Sequence, residues 1–68
     1  MAEINKLVGA RIRKYREKKG WSQEKLAFEA ELHRAYIGQI ERGEKNIGLE
    51  NLDKIAKALG TKITVLIK

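Results

Sequence analysis

The feature of this sequence that most constrains its fold is a pattern that occurs three times. Each copy has an apolar residue, a residue at a helix-capping position, and a second apolar residue four positions after the cap. The three copies are Trp21, Ser22 and Leu26; Leu32, His33 and Ile37; and Ile47, Gly48 and Leu52. The apolar residue before a cap packs against the fourth helical residue and so fixes the entry angle of the chain. The pattern predicts short helices near residues 23–30, 34–42 and 49–59.

Two further elements flank these helices. Before them, apolar residues fall on one face at helical spacing, which predicts a first helix that ends near Gly20: Ile4, Leu7, Val8, Ile12 and Tyr15. After them, Ile63, Val65 and Ile67 alternate with polar residues, although Leu66 interrupts the alternation. This β-branched run favours a strand over residues 61–68 rather than a fifth helix. A lone strand leaves its backbone groups unpaired, so we expect it to pair across a two-fold axis with a second copy, through Ile63, Val65 and Ile67.

Together these elements predict an all-α fold, a compact bundle of four short helices with a short C-terminal strand, as a single domain over residues 1–68. A core in 68 residues is modest, and such domains usually need disulfides, a metal or self-association. The chain has no cysteine and one histidine, so self-association is the expected supplement and no metal or other cofactor is expected. The expected core and staple residues are Trp21, Leu26, Ala27, Phe28, Leu32, Ile37, Ile40, Leu49, Leu52, Ile55 and Leu59.

The charge of the chain is strongly positive. Fifteen lysines and arginines stand against nine acidic residues, a net charge of +6, and residues 1–20 are especially basic. This balance suits a polyanionic partner, although charge alone does not separate such a partner from a merely soluble basic surface. No apolar run is long enough to span a bilayer, so we expect a cytoplasmic protein. His33 alone offers no triad and no acid and base pair, so an enzyme is not expected.

The helix over residues 34–42 carries the candidate chemistry. A step of about 100° per residue puts Arg34, Ala35, Gly38, Gln39 and Arg42 on one side, opposite its apolar side. Arginine can bond guanine O6 and N7, glutamine can bond adenine N6 and N7, and alanine can meet a thymine methyl. A polar helix face is more often only a solvated face, but the basic chain and the short capped helix before it favour DNA. Glycine at position 38 costs about 1 kcal/mol of helix stability, which either close docking on DNA or an undemanding site would explain.

The segment from Arg13 to Ala27, followed by Tyr36 to Gly43, resembles the Xre family of helix-turn-helix proteins, which includes the Cro and repressor proteins of lambdoid phages. Residues 33–37 and 41–46 are particularly similar to controller proteins of restriction-modification systems. The resemblance covers nearly all of residues 4–60. It implies a lambda repressor-like domain in which two of these helices form the helix-turn-helix.

The resemblance also implies roles for individual residues. Gln23, helped by Ser22, would clamp a backbone phosphate, which agrees with the anion-binding character of a helix N-terminus. The residues implied to face the bases are Arg34, Ala35 and Gln39, with Gly38 on the same face. The further residues implied to lie beside phosphates are Tyr36, Arg42, Lys45 and Asn46. Arg16 and Glu41 match a family pair that ties the first helix to the third.

Four positions depart from the family pattern. Glu31 stands where the family prefers glycine, so either a positive φ there costs around 1 kcal/mol or the turn differs. Lys25 replaces the glutamate of a capping box, and His33 is a weaker cap than serine. Gly38 replaces a common polar residue.

These observations predict a homodimeric transcriptional regulator that binds a two-fold operator in double-stranded DNA, with half-sites about 34 Å apart. The alternative is an antitoxin-like adaptor whose main role is to hold a partner protein, because the C-terminal strand resembles the dimer-forming tail of some Xre-type antitoxins.

Overall fold

A computed structural model describes residues 2–67, which form a bundle of five helices and contain no strand. The helices are α1 (Ala2–Lys18), α2 (Gln23–Ala30), α3 (Arg34–Glu41), α4 (Leu49–Leu59) and α5 (Ile63–Ile67). The four predicted helices are confirmed, and only α3 ends one residue early, with Arg42 as its C-cap.

The helix starts follow the repeated pattern. The Ser22 hydroxyl accepts a hydrogen bond from the backbone N–H of Lys25 at 3.0 Å, so it caps α2 as predicted. His33 and Gly48 occupy the same extended position before α3 and α4, without a side-chain hydrogen bond. The residue before each cap is half-buried and packs against the core: Trp21, Leu32 and Ile47. Packing of these three residues therefore supplements capping that is weak at two of the helices.

The core lies where the helices meet, and every helix contributes to it. Its fully buried large side chains are Ile12, Leu26, Ile37, Ile40, Ile55 and Leu66. Helix α3 packs against α1 and α2, while α4 contacts α2, α1 and α5. The core therefore holds α2 and α3 together as a helix-turn-helix unit.

The predicted C-terminal strand is wrong, because residues 63–67 form helix α5; Lys68 lies outside the described residues. Leu66, which interrupted the alternation, is fully buried, and Ile63, one turn earlier, packs against the same core. A strand would place these two side chains on opposite faces, whereas a helix brings both inward against α1 and α4. The pairing of Ile63, Val65 and Ile67 with a second copy through a strand is therefore wrong as well. Val65 and Ile67 are exposed, at 36% and 45%.

Two residues expected in the core are on the surface. Phe28 is 76% exposed and Leu49 is 74% exposed. In α2 the inward positions are taken by Leu26, Ala27 and Ala30, so Phe28 points away from the bundle. Leu49 is the first residue of α4, whose buried positions begin at Leu52.

The turn between α2 and α3 passes through a left-handed residue. Glu31 has φ 59° and ψ 44°. The chain therefore keeps the positive φ at this position, where the family prefers glycine, and does not form a different turn. The N–H groups of Glu31 and Leu32 donate to the carbonyls of Phe28 and Ala27, at 3.2 and 2.8 Å. These bonds satisfy the carbonyls at the end of α2, which offsets part of the cost of the left-handed backbone.

Helix α1 crosses the end of α3 at backbone contact. A Cβ on Gly9 would lie 2.8 Å from the carbonyl oxygen of Glu41 and closer still to that of Ile40. No side chain fits between the two helices at that point. Glycine at position 9 therefore sets the distance between α1 and the C-terminal end of α3.

Candidate nucleic-acid interface

Helix α3 presents one side to solvent. Arg34 and Ala35 are exposed and Gln39 is half-buried, whereas Ile37 and Ile40 on the other side are 0% and 2% exposed. Two buried isoleucines in eight residues fix which side of the helix faces out. The structure thus places Arg34, Ala35 and Gln39 on an accessible face, which direct reading of bases would require.

Gly38 lies among these residues but is buried. Two side chains cover it, those of Arg42 and Gln23, which belong to α3's C-cap and the first turn of α2. A Cβ on Gly38 would lie 3.1 Å from Arg42 Nη1 and 3.5 Å from Gln23 Oε1. Gly38 therefore forms the floor of a recess between two residues predicted to bind phosphates.

A buried ion pair anchors this region. Arg16 donates from Nε and Nη2 to the two carboxylate oxygens of Glu41, at 2.7 and 3.0 Å, and from Nη1 to the carbonyl of Trp21 at 2.7 Å. The two side chains are 10% and 2% exposed. The hydrogen bond with Glu41 raises the pKa of Arg16 above its ordinary value. Helix α1 is thereby tied to the end of α3 and to the residue before the α2 cap.

The same carboxylate holds Gln23. The side-chain amide of Gln23 donates from Nε2 to Glu41 Oε1 at 3.0 Å. Ser22, one residue earlier, uses its hydroxyl as the α2 cap. Glu41 thus links Arg16 to Gln23, a connection that the sequence did not predict.

The segment after α3 carries the remaining predicted phosphate contacts. Arg42 donates to Glu44 from Nε at 2.7 Å and from Nη2 at 3.2 Å. The pair raises the pKa of Arg42 and lowers that of Glu44 through this hydrogen bonding. Lys45 is exposed, and Asn46 Oδ1 accepts a hydrogen bond from Asn5 Nδ2 at 2.7 Å. The first turn of α1 therefore positions this segment.

Tyr36 points elsewhere. Its hydroxyl accepts a hydrogen bond from Asn51 Nδ2 on α4 at 3.1 Å. Both residues line a shallow surface depression beside the α2–α3 turn, with Glu31, Leu32 and His33. The structure therefore brings Gln23, Gly38 and Arg42 together and places Tyr36 apart from them.

Sequence reasoning missed three residues at this surface, the hydrogen-bonding partners Asn5, Glu44 and Asn51. It named Glu41 as the partner of Arg16 but missed the contact of Glu41 with Gln23. None of these contacts follows helical periodicity, so the sequence pattern held no signal for them.

Within residues 2–67 no group of three or more His, Cys, Asp or Glu side chains could hold a metal ion. Among the same residues, no helix is long and apolar enough to cross a membrane.

Comparisons with known proteins agree with this arrangement. The helix-turn-helix model HTH_3 matches residues 12–66. Control protein C.BamHI of Bacillus amyloliquefaciens is 53% identical over 60 residues, which is 87% of this chain and 74% of that protein. The crystal structure of the restriction-modification controller protein C.AhdI from Aeromonas hydrophila superposes with a TM-score of 0.89 and 44% identity, covering 91% of this chain and 94% of that one.

A third similar protein was crystallised with DNA. It is SinR, a master regulator for biofilm formation, whose DNA complex superposes with a TM-score of 0.86. The two chains are 32% identical, and the match covers 90% of this chain and 98% of that one. The likeness therefore extends over the whole helix-turn-helix.

Proposed function

The chain belongs to the HTH_3 helix-turn-helix family, and from that membership we propose that it is a transcriptional regulator that binds a two-fold DNA operator as a homodimer. The observation that carries the proposal is the exposed side of α3. Arg34 and Ala35 face solvent because Ile37 and Ile40 are buried. A helix held in this way can enter a major groove, where Arg34 and Gln39 have the donors and acceptors to read base edges.

In this proposal, contacts to the phosphates surround the reading helix. Ser22 and Gln23 lie at the N-terminus of α2, where free N–H groups favour an anion. Arg42, Lys45 and Asn46 follow the C-terminal end of α3. Contacts to phosphates set the register of the protein on DNA and supply most of its affinity, while the base contacts supply sequence preference.

The size of the domain supports a dimer. Its longest extent is 27 Å, less than the roughly 34 Å between successive major grooves on one side of DNA. One copy therefore cannot read two half-sites. Val65 and Ile67 on α5 are exposed apolar residues, and α5 contacts α1, which exposes Ile4 and Leu7. We place the dimer contact on these apolar side chains of α5 and α1.

Restriction-modification controller proteins are among the most similar proteins found, so transcriptional control of the controller-protein type is the expected role. The proposed activity is binding without catalysis. The proposed location is the cytoplasm.

The test begins with the wild-type protein and a pool of random duplexes, from which bound sequences are selected and aligned. We expect a two-fold consensus and a dimer by sedimentation. Arg34→Ala should then lose about 1–3 kcal/mol on the selected operator and little on random duplex. Arg13→Ala is the matched control, because it removes the same charge from an exposed pair on α1. Equal losses by Arg34→Ala on both DNAs would contradict base reading by Arg34.

A further inference from the structure

Gly38 occupies an unusual position on the proposed DNA-facing side of α3. It lies between residues that face solvent, yet it is buried, because Arg42 and Gln23 cover it. Glycine is poorly suited to the middle of a helix, where alanine is favoured. A direct contact between Gly38 and a base would require these two side chains to move aside.

Each of the two covering side chains is held by a carboxylate, through atoms other than the one that faces Gly38. Gln23 is held through Nε2 by Glu41, and its Oε1 faces Gly38. Arg42 is held through Nε and Nη2 by Glu44, and its Nη1 faces Gly38. The free edges of an amide and a guanidinium therefore converge above a residue that has no side chain.

We infer that Gly38 serves DNA binding by leaving room for Arg42 to lie across α3 beside Gln23, so that the two side chains form one clamp for a single backbone phosphate. This inference rests on the proposed function and deepens it, since it assigns a ligand to the recess. Glu41 and Glu44 act as positioning residues that orient the two halves of the clamp.

The chemistry of the two groups fits a phosphodiester. A guanidinium edge donates strong charge-assisted hydrogen bonds to phosphate oxygens. The atom of Gln23 that faces the recess is the acceptor Oε1, so Gln23 would bond a phosphate oxygen through its second N–H, the one that Glu41 does not accept, once the amide has turned. Phosphate contacts carry no sequence information, so the clamp should act equally on all DNA.

A Cβ at position 38 would disturb this clamp from below. At 3.1 Å from Arg42 Nη1 the contact is tight, so the end of the flexible Arg42 side chain must move by a few tenths of an ångström. At 3.5 Å from Gln23 Oε1 it makes an ordinary contact. Gly38→Ala should therefore shift Arg42 while leaving Gln23 and the helix intact.

The experiment is a double-mutant cycle with Gly38→Ala, Arg42→Ala and the double variant, measured by fluorescence anisotropy on the selected operator and on a random duplex of equal length. Gly38→Ala should weaken binding to both DNAs by the same factor, about three- to tenfold, from partial loss of one charged contact. Its Tm should not fall, because alanine favours the helix. In the Arg42→Ala background, Gly38→Ala should change the affinity less than twofold.

A matched control is Gly48→Ala, whose added Cβ meets nothing within 4 Å. It should leave DNA affinity unchanged. In DNA-free protein, the Nε–Hε resonance of Arg42 should shift on Gly38→Ala and not on Gly48→Ala, which reports the displacement independently of binding.

Three outcomes would overturn the inference. A loss confined to the operator would mean that position 38 reads a base, and a full loss retained in the Arg42→Ala background would mean that Arg42 is not involved. No loss at all would mean that the recess has no role. If the wild-type protein bound neither DNA, the proposed function itself would fail, which the cycle distinguishes because it starts from a wild-type affinity.

Discussion

The sharpest test of how this fold holds its reading helix is Glu41→Gln, which keeps the shape of the side chain and removes its charge. Glu41 accepts three hydrogen bonds, two from Arg16 and one from Gln23. Glutamine has a single carbonyl oxygen, so its amide group must face an N–H donor. The guanidinium of Arg16, in a side chain that is 10% exposed, would then lie buried without a countercharge.

The expected cost is large for so small a protein. Breaking a buried pair by removing one partner costs about 3–5 kcal/mol. At roughly 0.05–0.15 kcal/mol per residue, a chain of this length has about 3–10 kcal/mol in total. Glu41→Gln should therefore lose a large share of its stability at 25 °C. Glu17→Gln is the control, since it breaks the exposed pair with Arg13 and should cost roughly a few tenths of a kcal/mol.

Urea unfolding followed by the fluorescence of Trp21 measures both variants. Trp21 is the only tryptophan, it is half-buried, and its carbonyl accepts a hydrogen bond from Arg16. With a slope of about 1 kcal/mol per molar urea, a 3 kcal/mol loss lowers the midpoint by about 3 M. A loss below about 1 kcal/mol would refute the reasoning, because the pair would then behave as an exposed one.

Three further variants or titrations test separate features. Gly9→Ala should lower the free energy of unfolding by about 3 kcal/mol in urea melts, because its Cβ would collide with the backbone carbonyls of α3; a neutral effect would mean that α1 can shift. Glu31→Gly should raise it by up to about 1 kcal/mol by relieving a left-handed residue, and a loss in the same melts would contradict that strain. The Glu44 carboxyl, followed by ¹³C NMR, should titrate below the ordinary pKa of a glutamate because the hydrogen bonds from Arg42 lower its pKa, so the pair opens only as pH falls through that lowered pKa. An ordinary midpoint, or no rise of the midpoint on Arg42→Ala, would count against the pair in solution.

The sequence predicted the helices that carry their own start signals. Trp21, Ser22 and Leu26 lie within six residues, so the start of α2 can be predicted from a short stretch of sequence without knowing the fold. Helix α5 is different, because five residues with one interruption fit a strand or a helix almost equally well. Burial of Leu66 against α1 and α4 favours the helix over the strand, and the contact between α5 and α1 joins distant parts of the chain.

The candidate site also combines features that the sequence predicts with contacts that only the fold creates. The outward position of Arg34 follows from helical periodicity, because the buried isoleucines of α3 repeat at helical spacing. The contact between Gln23 and Glu41 joins residues eighteen positions apart and depends on the rotamers of both. The covering of Gly38 depends on where Arg42 folds back. Periodicity gives the direction of a side chain and does not give its partner.

Helix α3 has eight residues, too few to be stable alone, so its neighbours must fix its position. Two features act at its C-terminal end, the backbone contact at Gly9 and the pair between Arg16 and Glu41. Replacing a buried pair by apolar residues often leaves stability unchanged or higher, so the pair need not be present for stability. A reading helix, however, must be held within about half an ångström to bond base edges.

We therefore expect Arg16→Met combined with Glu41→Leu to separate stability from reading. The double variant should be at least about 2 kcal/mol more stable than Glu41→Gln, because no buried charge is left without a partner. Its affinity for operator should nevertheless fall toward its affinity for random duplex, since α3 loses the pair that fixes its C-terminal end. If the double variant discriminated operator from random DNA as well as wild type, apolar packing and Gly9 alone would position α3, and the pair would be only one of several ways to fill that space.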